Sequence, residues 1–181
     1  MLFRSNYDAA KRPLVELLVE QDQAKVKWHP AEVFGQYLLD SAMLLRNRPL
    51  NGQPGFEQIV PFRFSDQIIL VDRGWLPTGS KQDSPDVNPL PDDQTQTIVV
   101  RLLPSENDSS RRAPVGQLAD LNLPKIAKAT GLKINTDWYG RLVSAAELPK
   151  PLPKPKEDEG NHLSYAIQWL LFGLMALAFL I

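Results

Sequence analysis

The chain has 181 residues, with 20 Lys plus Arg against 21 Asp plus Glu, no cysteine and two histidines. A net charge of −1 gives no electrostatic drive towards nucleic acid, and the lack of cysteine excludes disulfides, thiolate nucleophiles, iron–sulfur clusters and Cys-based zinc. His29 and His162 are too far apart in sequence for any histidine-pair ligand spacing, and the length suits one compact domain of about 100–150 residues.

The N-terminus carries no apolar run long enough for a signal peptide, because Glu16 breaks Leu14–Val19. Pro13 suits a first helical turn, and Leu14, Leu17, Leu18 and Gln21 recur at helical spacing, which predicts an amphipathic helix over about Asp8 to Glu20. From Ala24 the period changes to two. Val26 and Trp28 alternate with Lys25 and Lys27, and Val33, Phe34, Tyr37, Leu38 and Met43 to Leu45 follow, all in keeping with short strands. His29, between Trp28 and Pro30, reads as a turn residue.

Turn formers gather from Arg48 to Gly55. Gln58 to Phe64 and Ile68 to Val71 flank Ser65-Asp66-Gln67 as an antiparallel hairpin, with Pro61 calling for an edge or a bulge. Residues 79–96 are polar and Pro-rich, the composition of a mobile loop, and Asp83, Asp86, Asp92 and Asp93 there lack the spacing of a calcium loop and read as a solvated charge run. Thr97 to Leu103 predicts a strand, Leu121 to Thr130 a helix stopped by Gly131, and Ile134 to Val143 extended structure.

Leu148 to Pro155, Pro-rich, predicts a semi-rigid spacer at a domain boundary. Beyond it, Leu163 to Ile181 is uncharged, and 19 residues at about 1.5 Å each approach a hydrocarbon core of about 30 Å. This predicts a C-terminal transmembrane helix, with Glu157 to Glu159 at its positive end, Asn161 as N-cap, and Tyr165 and Trp169 at the membrane interface. Gln168 falls deeper and is expected to face protein, another helix or a ligand. Lys150, Lys154 and Lys156 before the helix weakly place the domain on the cytoplasmic side.

Three stretches carry a resemblance: Gly55-Phe56-Glu57-Gln58-Ile59-Val60-Pro61, Ile69-Leu70-Val71-Asp72-Arg73-Gly74-Trp75-Leu76-Pro77 and Asn161-His162-Leu163-Ser164-Tyr165-Ala166-Ile167-Gln168-Trp169. Taken in order and spacing, from about Gly35 to the end, the chain resembles the surfeit locus 1 family. The resemblance implies an assembly factor for haem–copper cytochrome c oxidase. In that family two membrane helices bracket a domain on the periplasmic side of the bacterial inner membrane, or in the mitochondrial intermembrane space, against the lysine count. The first of those helices has no counterpart before Asp8 here, and the chain ends at Ile181 without a basic tail.

The resemblance also implies haem a, bound transiently with His162 as axial ligand to the iron; the plain reading of His162 is a helix-start histidine that bonds backbone or headgroups. Tyr165 and Trp169 share its face and could pack on a porphyrin, or simply anchor the interface. Arg73 could pair with a propionate or a partner carboxylate, or serve structurally at a strand end. Gly74 is expected to supply a backbone angle closed to other residues, and Trp75 to cover the sheet.

The expected architecture is α+β: a helical lead-in over 1–22, an antiparallel-sheet domain over 23–147 able to curl towards a barrel, a spacer over 148–160 and a transmembrane helix over 161–181. The expected function is non-enzymatic help in placing haem a in, or stabilising, the haem-bearing catalytic subunit of the oxidase. The alternative is a membrane-tethered module that stabilises oxidase intermediates without haem, Tyr165, Gln168 and Trp169 then being helix contacts. An envelope enzyme with its site in the Gly79 to Gln96 loop is a third reading, with no catalytic motif to support it.

Overall fold

The computed structural model describes residues 2–143, 147–155, 167–172 and 175. Helix α1 (Leu2–Tyr7) leads to a short strand β1 (Arg12–Pro13) and two short helices, α2 (Leu14–Leu18) and α3 (Gln23–Val26). The strands that follow are β2 (Pro30–Tyr37), β3 (Met43–Leu45), β4 (Gly55–Phe64), β5 (Gln67–Pro77), β6 (Gln96–Pro104) and β7 (Gln117–Leu118); α4 (Leu123–Thr130) and β8 (Trp138–Leu142) complete the order.

The sheet runs β1-β2-β6-β8-β5-β4-β3-β7, and a further pairing of β2 with β4 joins it back on itself. Strands β2, β4, β5, β8 and β6 therefore form a closed ring. All neighbours in it are antiparallel except β5 and β8, which run parallel through Val71↔Gly140 and Asp72↔Arg141. That order and its one parallel pair match the five-stranded Greek-key plan of OB-type barrels. Gly35 permits the closure: a side chain there would strike the Arg63 carbonyl and the Phe62 ring. Pro61 sits where β4 changes partner from β3 to β2. Its carbonyl accepts from Leu38 N at 2.8 Å, and the turn Leu39–Ser41 occupies the gap, so its missing N–H falls where the ladder is already interrupted.

Alternation along the strands builds two cores. Val33, Val60, Phe62, Ile69, Val71, Val100 and Leu102 fill the barrel, and Leu14, Leu17 and Val26 of α2 and α3 plug one end. On the outer face, Ile59, Leu70 and Tyr139 are covered by Leu121, Leu123 and Ile126 of α4 and its approach. Nearly every residue of β4 is consequently buried, on both faces of the strand. Asn122 caps α4 by accepting from Lys125 N, and Gly131 ends it at φ 70°.

Several expectations are corrected. The fold is a mostly sheet domain with a few short helices, not α+β with a spanning helix: among the described residues no helix is long and apolar enough to cross a membrane. The lead-in is not one helix over Asp8 to Glu20, because Arg12 and Pro13 pair with Ala31 and Glu32, and Pro13 at ψ 133° is extended. The Val26–Trp28 alternation is not a strand: Asp22 caps α3 through Ala24 N, and Trp28 turns the chain at φ 69°. His29 is buried at that turn, its Nδ1 3.0 Å from the Pro30 carbonyl oxygen. The described part of the spacer, 148–155, lies back on the domain, with Lys150 exchanging backbone hydrogen bonds with Trp75 and Lys154 3.0 Å from Asp8.

Candidate functional site

The first two stretches that carry the family resemblance are adjacent strands, β4 and β5, and a bulge governs what their side chains do. Glu57 faces Trp75 and Ile59 faces Asp72, so Gln58 stands opposite both Arg73 and Gly74. Gly74 takes φ 126°, and a side chain there would collide with the Lys150 carbonyl oxygen. The extra residue changes the parity of the strand. Asp72 and Trp75 both point to the outer face, while Gln58 and Arg73 point into the barrel end opposite α2 and α3.

On the outer face the charges close on one another. Arg141 Nε is 3.2 Å from a fully buried Asp72 carboxylate, which also accepts from Gly74 N at 3.0 Å. Arg48 holds both oxygens of Glu106, at 2.7 and 2.6 Å, and lies 3.6 Å from Glu57; its carbonyl accepts from Trp75 Nε1 at 2.7 Å. Burial pushes Glu57 up to about 8, reinforced by Asp72 and opposed by Arg48 and Arg141. Burial also raises Asp72, against Arg141 and the Gly74 amide. The shared proton belongs on Glu57, which has only the longer contact to Arg48, whereas Asp72 has a direct partner and a backbone donor. With Glu57 neutral, two arginines balance two carboxylates. Burial works against the Arg48 and Arg141 charges, but their acidic neighbours outweigh it and raise both.

The barrel mouth is different. Arg73 donates through Nη1 to Gln58 Oε1 and, at 3.0 Å, to the Pro89 carbonyl, and Gln58 donates to Asn88 and Pro89, so the 79–96 loop is fastened over the mouth. The Arg73 guanidinium lies 5.7 Å from the centre of the Tyr37 ring, which stands edge-on to Phe62. Burial drives the Tyr37 phenol up to about 12, with Arg73 opposing, so it is a neutral hydroxyl at physiological pH. Burial lowers Arg73 with only Tyr37 pulling the other way, and an arginine stays charged. A cavity of about 400 Å³ opens beside these two residues.

Of the residues expected to form a site, Arg73 is thus built into the mouth. Gln168 and Trp169 lie in the exposed helical stretch 167–172, where Trp169 meets Phe172 edge-on at 6.1 Å. His162 and Tyr165 lie outside the described residues. Sequence reasoning missed Tyr37, whose place in an alternating strand looks ordinary, and it missed Glu57 and Gln58. The signal for those two was available: a Glu-Gln pair inside the apolar run Gly55 to Phe64 has to be buried with partners.

Comparison with known proteins bears on what these strands belong to. Residues 3–174 match the profile described as the SURF1 family. An uncharacterised SURF1-like protein of Mycobacterium tuberculosis is 32% identical, covering 96% of this chain and 66% of its own length; the same figures hold for one from Mycobacterium bovis. A SURF1-like protein of Rickettsia prowazekii is 28% identical over 86% of this chain and 67% of its own length. The chain thus spans just under two thirds of the length of its mycobacterial relatives.

Proposed function

The chain belongs to the SURF1 family, and from that premise we propose that it is a non-enzymatic assembly factor for haem–copper cytochrome c oxidase that acts by docking to oxidase subunits. Family membership also suggests a membrane-associated protein. The observation that carries a docking role is the apolar surface at the C-terminal end: Ile167, Trp169, Leu170, Leu171 and Phe172 are all about half exposed or more within one helical stretch. Apolar side chains this concentrated are characteristic of a surface that meets a partner or lipid.

The residues that the resemblance assigns to haem a centre on His162, which lies outside the described residues. Arg73 is tied to Gln58 and Pro89 within the barrel mouth, and Gln168 and Trp169 project from an exposed stretch whose described ring contact is with Phe172.

The test is complementation. Cells that lack the chain should hold less assembled oxidase in their membranes, measured by subunit immunoblot and oxygen consumption. The wild-type chain should restore it, and an Ile167→Asp, Leu171→Asp variant that still accumulates should not. Unchanged oxidase in cells lacking the chain would overturn the assembly role, and full rescue by the double variant would overturn docking through this surface.

A further inference from the structure

We propose that the cleft between α4 and the 105–116 loop docks an acidic segment of a partner protein, one that carries an apolar side chain between its carboxylates. A cavity of about 510 Å³ lies there, with Arg111 to Ala113 of the loop on one wall and Ile126, Ala129 and Thr130 of α4 on the other. Those three helical positions recur at i, i+3 and i+4, so a single face of α4 serves the cleft, and the small Ala129 leaves it open. Most of the accessible wall is apolar. The cleft is also held in shape. Asp120 accepts from Ser109 N at 3.0 Å and from Ser109 Oγ at 2.6 Å, and Lys125 Nζ is 2.7 Å from Asp108, which ties the loop to the start of α4.

The charges of the cleft set the sign of the partner. Arg111 and Arg112 are both exposed to solvent, and neither guanidinium has a carboxylate or hydrogen-bond partner among the described residues. Lys125 and Asp120 are already engaged, with Asp108 and Ser109. Two adjacent open guanidinium forks beside an apolar wall complement carboxylates that flank an apolar side chain. The surface also runs past the cleft. Val115, on the same loop but outside the cavity, is fully exposed. A small anion seated in the cleft leaves Val115 bare, whereas a protein partner covers it together with the two arginines, a residue type enriched in such interfaces.

This contact deepens the docking role and rests on it for the protein nature of the partner, but the purified chain alone tests it, so either can fail while the other stands. The full chain in mild detergent is titrated, by fluorescence anisotropy, with labelled peptides of sequence EDLFED, KKLFKK and EDSGED. EDLFED should bind about 10-fold or more tightly than either of the others. An Arg111→Glu, Arg112→Glu variant should lose that preference and favour KKLFKK. Ala129→Trp, which fills the cleft and leaves every charge in place, should weaken EDLFED several-fold. All three positions are exposed, and circular dichroism checks that the variants fold. EDLFED bound no more tightly than KKLFKK or EDSGED, or bound as in the wild type by either folded variant, would overturn the proposal. So would phosphatidylglycerol nanodiscs held through the same two arginines more tightly than the peptide, which would assign the loop to lipid.

Discussion

Strands β4 and β5 present two faces that treat charge in opposite ways. On the outer face, five ionisable side chains are arranged so that each charge has a partner: Arg141 with Asp72, Arg48 with Glu106, and Glu57 holding a proton between them. At the barrel mouth, one residue further along the same strand, no carboxylate among the described residues pairs with Arg73, and the buried Tyr37 hydroxyl makes no well-formed hydrogen bond. The Gly74 bulge creates both situations, because it sends Asp72 and Trp75 outward while leaving Arg73 inside. A closed network holds a fold together and has no capacity left for a ligand. An open one contributes less to the fold.

The contrast can be broken most forcefully at Asp72. Asp72→Ala leaves the half-buried Arg141 guanidinium without its partner and should cost about 2–4 kcal/mol, read from urea unfolding of the full chain in detergent; a loss below about 1 kcal/mol would mean that the outer network is not a stabilising unit. Gly74→Val tests the bulge that separates the faces. At φ 126°, with the Lys150 carbonyl in the way, it should cost about 1–3 kcal/mol, and release of the Lys150 and Trp75 amides should appear as faster hydrogen exchange at both.

A subtler change sharpens the comparison through pH. Glu57 binds its proton more tightly folded than unfolded, so the native state holds the extra proton between the ordinary carboxyl value of 4.5 and about 8. Stability contributed by that proton is complete below this window and falls as pH rises through it, with a limiting slope of about 1.4 kcal/mol per pH unit. Glu57→Gln cannot titrate and should flatten that decline, seen in melting temperatures measured from pH 5 to 8. An unchanged decline would place the proton elsewhere.

Much of this architecture is legible in the sequence where the signal is local. Two apolar runs about Ser65 and Asp66 give the β4–β5 hairpin, and Gly131 marks the end of α4. What is not legible depends on partners distant in the chain. The β2–β4 pairing that closes the barrel and the parallel β5–β8 pairing join segments with no shared pattern, and pairing with β2 overrides the helical periodicity around Pro13. The uncharged C-terminal run reads as a membrane span by length alone, whereas the described helical stretch there covers 167–172. At the site, Arg73 and Gly74 are conspicuous in a row of apolar residues. Tyr37 is not, because its meaning comes from the neighbour it meets across the barrel.

The most direct test of the difference between the faces is the smallest change, Tyr37→Phe, followed by urea unfolding of the full chain in detergent. Removing a buried hydroxyl that has no hydrogen-bond partner should leave stability unchanged or raise it by up to about 1 kcal/mol. A loss of about 1 kcal/mol or more would show that the hydroxyl already serves the fold, and the barrel mouth would then be as closed as the outer face.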